Sequence, residues 1–552
     1  MINSGYNMEK YKEIHLKKPN TLSNFLSEKE RQEIVSLKIT GFIGRDDFDD
    51  VLDEMCEVWG QYDEDDNFVP EEDGSCAIKH LDLGEATYVD GDDLPSFGFH
   101  TQLETFILPQ GITNTLERGE SETGLSESSN LRTLVLPAGL KSVGGFNSCT
   151  NLIGLELPEG LEEIDPFAFC GCESITAIRI PASIKSISGS SFAGCNIAAY
   201  EVDEKNPYYT VIDGVVYSKD LKTLVAFPSA YPKKHFVVPN TTVIIGEHAF
   251  MDSHIESVEI PNGLTTIQEW SFEGSHIQNI DMPDTVTSIG EGAFRFCFEL
   301  EHVGLPTVLT EIPRQTFESC PRLKELAVPS SVRTIHYSSL IWSHGIEKLV
   351  LQDGLEEIAD DGIMIVSDGN IKEVTLPKTL KKVPGGVFNY SPHIKSFSLD
   401  PENPYFTIID EALCSKDGKI LFSVPNYHRE SYTVPEGIEV IGARAFAYLP
   451  RINSIILPSS LRVIESRAFQ GDDALKSITI PANVEKIEVH ALWADNLKTV
   501  IMECSVPPEM TGGVSDDEWI YNDVSLFVPH DSVAFYKQVP GWKCFKVKEI
   551  KE

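Results

Sequence analysis

A repeat solenoid, with a parallel β-sheet along one face of its stacked coils, is the fold class that this sequence predicts. Three observations lead there. The chain has 552 residues, and a single hydrophobic core stops growing near roughly 250–300 residues, so several domains or a repeat array are required. An aliphatic residue followed by proline recurs at Pro109, Pro137, Pro158, Pro181, Pro239, Pro261, Pro283, Pro306, Pro329, Pro377, Pro435, Pro458 and Pro481. From Pro239 to Pro329 the gaps are 22, 22, 23 and 23 residues, and a fixed period of roughly 20–29 marks a solenoid.

Within a unit the elements follow one order. Around Pro283 the apolar positions are Ile277, Ile280, Met282, Val286, Ile289 and Phe294; around Pro306 they are Leu300, Val303, Leu305, Leu309, Ile312 and Phe317. The segment before each proline, such as Leu131–Pro137, alternates apolar and polar residues, which predicts a short strand with one buried face. Proline ends it, having no N–H to donate. The next stretch, of the type Gly263-Leu264-Thr265-Thr266-Ile267, is too short and too β-branched for a helix and predicts short extended or 3-10 structure. An aromatic then falls 11 residues after the proline at Phe169, Phe192, Phe250, Phe272, Phe388, Phe446 and Phe469. A small residue usually precedes it (Ala168, Ala249, Ala293, Ala445, Ala468), as a tight turn requires. No unit buries these residues alone, but stacked units form one continuous core.

The gaps Pro181–Pro239 and Pro377–Pro435 are each 58 residues, one repeat plus an insertion. The insertions match: Asn206–Pro228 reads NPYYTVIDGVVYSKDLKTLVAFP and Asn403–Pro425 reads NPYFTIIDEALCSKDGKILFSVP. Alternating strands around Ser218–Lys222 and Ser415–Lys419 predict a β-hairpin in each. Insertions in solenoids project from one face, often the binding face; stiffening the array is the other role open to them. The flanks suit caps over the open ends of the core. Ser27 and Glu30 have capping-box spacing, and Phe48, Val51, Leu52 and Met55 share one helical face. Asp531 is placed to N-cap a short helix carrying Val533 and Tyr536, stopped by Pro540-Gly541. The expected division is a capping region at 1–77, a solenoid at 78–503 with hairpins near 200–234 and 397–430, and a terminal cap at 504–552.

The pattern LxxLxLPxxLxxIxxxAFxxC resembles the BspA-like, Treponema pallidum-type, subfamily of leucine-rich repeat proteins over about residues 78–503. The flanking segments around NTLSNFLSEKERQEIVSLKITG, DDFDDVLDEM and IKHLDLGEA, and LFVPHDSVAFYKQVPGWKCFKVKEI at the other end, are similar to those of the same family in gut Bacteroidetes. The resemblance implies a right-handed leucine-rich repeat superhelix with its parallel sheet on the concave face. It also implies a bacterial cell-surface or secreted protein of the kind linked to adhesion to host matrix proteins or other cells.

Composition narrows the function classes. With 45 Lys+Arg against 85 Asp+Glu the net charge is −40, the wrong sign for nucleic-acid binding or adhesion to anionic lipid. No apolar run reaches the ~18 residues of a membrane-spanning helix. Residues 46–93 hold 19 acids and one base, Lys79. The stretch Asp63–Asn67 with Glu71–Asp73 lacks the glycine and terminal glutamate of an EF-hand, so a solvated loop is expected, with weak calcium ordering open. No metalloprotease, nucleophile-elbow, P-loop or dinucleotide motif occurs, and the expectation is no catalytic residue, no cofactor and no metal site. His254 and His276 fall in adjacent coils at one repeat position, where exposed turn histidines or a metal pair could result. Of the 11 cysteines, Cys149, Cys172, Cys297 and Cys320 share one repeat position, as buried packing thiols do.

What remains for binding is the exposed sheet face, where one position varies: Val135, Glu156, Arg179, Glu259, Asp281, Gly304, Ala327, Val350, Thr375, Ile456, Thr479. A protein partner, an extracellular-matrix or cell-surface protein, is expected there through Glu156, Arg179, Glu259 and Asp281, with Tyr209 and Phe406 contributing from the hairpins. A structural spacer that self-associates is the main rival. Glycan binding is another, resting on an aromatic platform of Tyr208, Tyr209, Tyr405, Phe406 and Tyr427. The expected location is extracellular or at the cell surface. Met1–His15 lacks a leader's apolar core, which keeps a cytoplasmic alternative.

Overall fold

The computed structural model describes residues 10–56, 60–62, 68–70, 77–95, 102–116, 125–359, 370–389, 391, 393–425, 429–472, 474–488, 490–511 and 524–550. The acidic residues 63–67 and 71–73 and Tyr427 lie outside the described residues. The chain forms a parallel-strand solenoid that divides into two units, Met1–Ile277 and Gln278–Glu552.

In both units one coil is built alike. The strand Ser257–Glu259 shows its form: Val258 points into the core between an intermediate and an exposed neighbour. Pro261 ends the strand, and its carbonyl accepts from Leu264 N–H at 3.1 Å, closing a turn. A second, two-residue strand follows at Thr266–Ile267. Each strand pairs in parallel with its counterpart one coil away: His235–Val237 with Ser257–Glu259, and Ile244–Ile245 with Thr266–Ile267. The coil is thus held by two parallel ladders, one of longer strands and one of short ones.

The third side is a turn. There Phe250 N–H donates to Ser271 O at 2.7 Å and Phe317 N–H to Ser339 O at 2.8 Å, so backbone bonds join the coils on this edge too. The inner aromatics of the turn, 11 residues after the proline in most coils and nine at Phe146, lie inside it and stack from coil to coil. Ring centroids are 5.7 Å apart for Phe146 and Phe169, 5.4 Å for Phe169 and Phe192, and 4.6 Å for Phe250 and Phe272. In the second unit Phe294 and Phe317 stack at 5.6 Å, and Phe446 and Phe469 at 5.5 Å. The cysteine position three residues later has a polar role beside its packing one. The Cys172 thiol donates to Phe146 O at 3.1 Å, and the Cys320 thiol to Phe294 O at 3.1 Å. Where that coil position is Ser343, the hydroxyl donates to Phe317 O in the same way.

Each insertion is larger than a hairpin. Strands Tyr209–Ile212, Val215–Ser218 and Thr223–Ala226 form an antiparallel meander, whose last strand then joins the short-strand ladder through Ile244–Ile245. The second insertion repeats this with Phe406–Ile409, Ala412–Ser415 and Ile420–Ser423. The expected hairpin around Ser218–Lys222 is present; the earlier strand was hidden by the Asp213-Gly214 turn, whose positive φ values of 50° and 80° fold it back tightly. A buried asparagine anchors each meander. Asn206 donates to Pro181 O and Ile184 O, both at 3.0 Å, and Asn403 to Pro377 O and Leu380 O at the same distances.

The parallel ladder runs on into both flanks. Tyr11–Leu16, Ser36–Ile43 and His80–Tyr88 pair in parallel, and Ser525–Val528 pairs with Thr499–Met502 and with Lys546–Glu549. Ser27 and Glu30 close their capping box, and Phe48, Val51, Leu52 and Met55 are buried. Asp531 is not the N-cap expected of it. It sits inside a 3-10 turn, His530–Ser532, with no side-chain cap. The terminal segment is held instead by buried aromatics: Tyr536 Oη donates to Cys504 O at 3.0 Å and Trp542 Nε1 to Pro508 O at 2.8 Å.

Candidate functional site

Because one side of the longer strands builds the core, every other residue of that ladder faces solvent. This outward face is the candidate site, and the units differ in what they place on it.

In the first unit the face is mixed: Thr133, Val135 and Val237 are exposed beside charged positions, several of them paired within the chain. Lys38 Nζ lies 2.7 Å from Glu85 Oε1. Arg179, exposed between Ile178 and Ile180, is bracketed by Glu159 at 2.8 Å and by Asp203. Its guanidinium is held above its usual value by the bond to Glu159 first and then by the charges of Glu159 and Asp203. Glu156 and Glu259 are exposed, with His235 Nε2 at 4.0 Å from Glu259. In the second unit Asp281 Oδ1 lies 2.9 Å from His302 Nε2. The four charged residues expected to bind a partner therefore do reach the surface, but Arg179 and Asp281 are engaged with their own chain. The two hairpin residues do not fit the role. Phe406 is 3% exposed and packs edge-on against Phe422 at 5.6 Å. Tyr209 is half-buried and donates to Lys185 O at 3.1 Å.

Toward the end of the second unit the outward face loses charge altogether. Its strands present Ser431 and Thr433, Ser454 and Ile456, Ser477 and Thr479, Thr499 and Ile501, then Ser525 and Phe527. Register puts Thr433 beside Ile456, Thr479 beside Ile501, and Ile501 beside Phe527. Ile456 is 59% exposed. The face ends at Lys546–Glu549, where Lys548 Nζ bonds Ser525 Oγ at 2.8 Å and lies 5.5 Å over the Phe527 ring. An open concavity of about 540 Å³ lies on it, lined by Ser454, Ile456, Ser477 and Thr479 together with Asn453, Asn483, Glu436 and Glu503. The sequence carried the signal in the recurring Ser/Thr-x-apolar or -hydroxyl triplets Ser454–Ile456, Ser477–Thr479, Thr499–Ile501 and Ser525–Phe527. Reading one outward position per strand, rather than two, hid it.

The histidine pair sits on the first unit's turns, with His254 and His276 rings 4.9 Å apart. Burial, then His276 and Lys234, hold His254 below its usual value. Among the described residues no three His, Cys, Asp or Glu side chains converge to hold a metal ion. Burial pushes the Cys170 and Cys414 thiols up to about 12, so neither is a nucleophile near neutral pH. Among the described residues no helix is long and apolar enough to cross a membrane.

A family model, the BspA type leucine-rich repeat region, matches residues 96–209, 225–347, 323–420 and 422–508, in six copies. The chain belongs to that family. No curated protein matches it. Among solved structures this BspA-type chain is similar to a leucine-rich repeat protein from Eubacterium ventriosum, at 16% identity over 76% of this chain and 83% of that one, with a TM-score of 0.38. A leucine rich cell surface protein from Faecalibacterium prausnitzii matches at 17% identity over 58% and 97%, TM-score 0.44. A leucine-rich repeat protein from Bacteroides ovatus matches at 18% over 71% and 88%, TM-score 0.39.

Proposed function

We propose that this BspA-type protein is a non-enzymatic binding protein, placed at the cell surface or outside the cell as its family resemblance implies. It engages a protein partner through the uncharged face of residues 431–528. The observation that carries this reading is the run of outward hydroxyl, isoleucine and phenylalanine positions in a chain of net charge −40. Association must strip water from both surfaces. Methyl groups lose it favourably and hydroxyls can replace it with hydrogen bonds to the partner, whereas an unpaired carboxylate loses it at a far greater cost. Interface centres are accordingly depleted of charge, with charge left to the rim, and here the outward strand positions carry none while Glu436 and Glu503 are the acids that line the concavity. The surrounding acidic surface then steers and selects a partner of opposite charge rather than holding it.

The test is solid-phase binding of the full chain to a panel of matrix and cell-surface proteins, beside two variants. Ile456→Lys with Thr479→Lys should abolish saturable binding. Glu156→Lys with Glu259→Lys should change it less than about twofold, since charges outside the contact act mainly on the association rate. Binding lost only in the second variant would move the site to the first unit.

A further inference from the structure

The second unit carries a cluster of exposed rings that the sheet face does not use. Phe298 is 55% exposed, and Tyr337 and Trp342 are each 45% exposed. Phe298 lies on the turn edge of one coil and Tyr337 and Trp342 on that of the second coil after it, and Phe296 joins Phe298, its ring stacked on it at 6.0 Å. Backbone bonds set the alignment: Phe296 N–H donates to Glu318 O, and Ser319 N–H to Ile341 O. Phe296, Ser319 and Trp342 therefore occupy one column, with the two rings two coils, about 10 Å, apart.

That column has a conformational cost. Phe296, Ser319 and Trp342 have φ values of 56°, 56° and 59°, the left-handed region that bulky residues rarely enter. At the same repeat position other coils place Gly171, Gly194, Gly274 and Gly471, and also Ser148, Asp252 and Tyr448, with φ between 52° and 72°, so the turn imposes this conformation on whatever residue stands there. Glycine adopts this conformation without strain. Phe296 and Trp342 are the bulky rings this column carries, and Trp342 stays 45% exposed instead of folding into the core.

The polar groups between the rings identify the ligand chemistry. Arg295 lies 4.1 Å over the Phe296 ring and Arg314 lies 5.6 Å over Tyr337. Each guanidinium is balanced by a carboxylate: Arg295 by buried Glu318 at 3.3 Å, Arg314 by Glu291 at 3.8 Å, and Arg322 by Glu299. The edge is thus locally neutral within a strongly acidic chain. Its rings are set apart by Ser319 and by paired charges, so it lacks the continuous desolvated floor of a protein hot spot. The exposed rings of Phe298 and Trp342, with the arginine N–H donors over Phe296 and Tyr337 nearby, suit the C–H faces and hydroxyls of successive sugars.

We propose that the turn edge of Phe296, Phe298, Tyr337 and Trp342 is a binding site for an uncharged carbohydrate chain. The site is separate from the sheet face. It also differs in place from the hairpin platform expected from sequence, where Phe406 is buried.

Affinity electrophoresis tests it. In native gels cast with soluble β-glucan, xylan, galactomannan or dextran, the full chain should be slowed by at least one, and not by polygalacturonate. Trp342→Gly should weaken the retarding interaction about fivefold or more, and Phe296→Gly with Trp342→Gly should remove it. Glycine relieves the left-handed strain, so both variants should melt no lower than wild type, which separates lost binding from lost folding. The proposal is overturned if no uncharged polysaccharide slows the chain, if the double variant is slowed like wild type, or if only polygalacturonate acts. Binding of a panel protein that depends on Trp342 would also overturn it, by making the edge a protein site.

Discussion

In the first unit the outward sheet positions are mixed: Lys38, Glu85, Arg179 and Glu259, several already paired within the chain, alternate along the array with Thr133, Val135 and Val237. From Ser431 to Phe527 in the second unit the same positions hold only hydroxyl and apolar side chains. Behind both faces the coil is unchanged, with the same stacked phenylalanines, proline turns and two parallel ladders. A solenoid can therefore alter its surface one coil at a time without touching its core. Charge is the cheap choice where a face only needs to stay solvated, and its absence from the outward strand positions over five consecutive strands is the observation on which the proposed binding face rests.

Sameness of the cores is the first half of that comparison to break. Phe272→Ala in the first unit and Phe469→Ala in the second each remove a fully buried ring from a stack. Each should cost about 3–5 kcal/mol by thermal or denaturant unfolding. A much smaller cost in one unit would mean its stack is not the spine that the other's is. The Ile456→Lys, Thr479→Lys variant comes next: it should leave melting unchanged while removing the partner, a loss of at least about tenfold in affinity.

A third prediction uses one position that the insertions create in both units. Gly189 meets His248 O, and Gly385 with Gly386 meets Ala443 O and Arg444 O, where the coil before each insertion packs on the coil after it. His248 and Arg444 both have positive φ, 54° and 56°. Burial between Phe167 at 5.2 Å and Trp270 at 6.5 Å pushes His248 down to about 4. Folded His248 is thus neutral at pH values where the unfolded imidazole, near 6.5, already takes a proton. Its contribution is fully present above about 6.5 and is lost as pH falls toward 4. Arginine cannot titrate there. Hydrogen exchange at pH 7.5 and 5 should show opening of the first unit's coils around 248 and none around 444. His248→Asn, which tolerates the left-handed conformation, should flatten that response.

How much of this was legible follows from which residues obey the period. Proline, the six apolar positions and the inner phenylalanine recur because every coil must bury the same volume, so the core, the ladders and the match of the two insertions were readable. Surface residues answer to no such constraint. The neutral face emerged only when register set Thr479 beside Ile501 and Ile501 beside Phe527. The ring edge emerged only when backbone bonds aligned Phe296 with Trp342, 46 positions later in sequence. Asp531 failed as a cap for a local reason: Pro529 starts a 3-10 turn in which Asp531 is already inside.

The smallest expected effect tests whether paired charges on the first unit's face are anything more than solvation. Arg179 bonds Glu159 and Asp203, yet its side chain is 49% exposed. Exposed pairs lose to water and side-chain entropy most of what Coulomb attraction gives, and added salt screens the rest. Arg179→Ala should therefore leave the melting temperature indistinguishable from wild type at physiological salt, with at most a slight drop at low salt. Partner binding should be equally untouched. A clear loss of either would show that these charged positions are organised for contact, and the contrast with residues 431–528 would then be one of partner chemistry rather than of use.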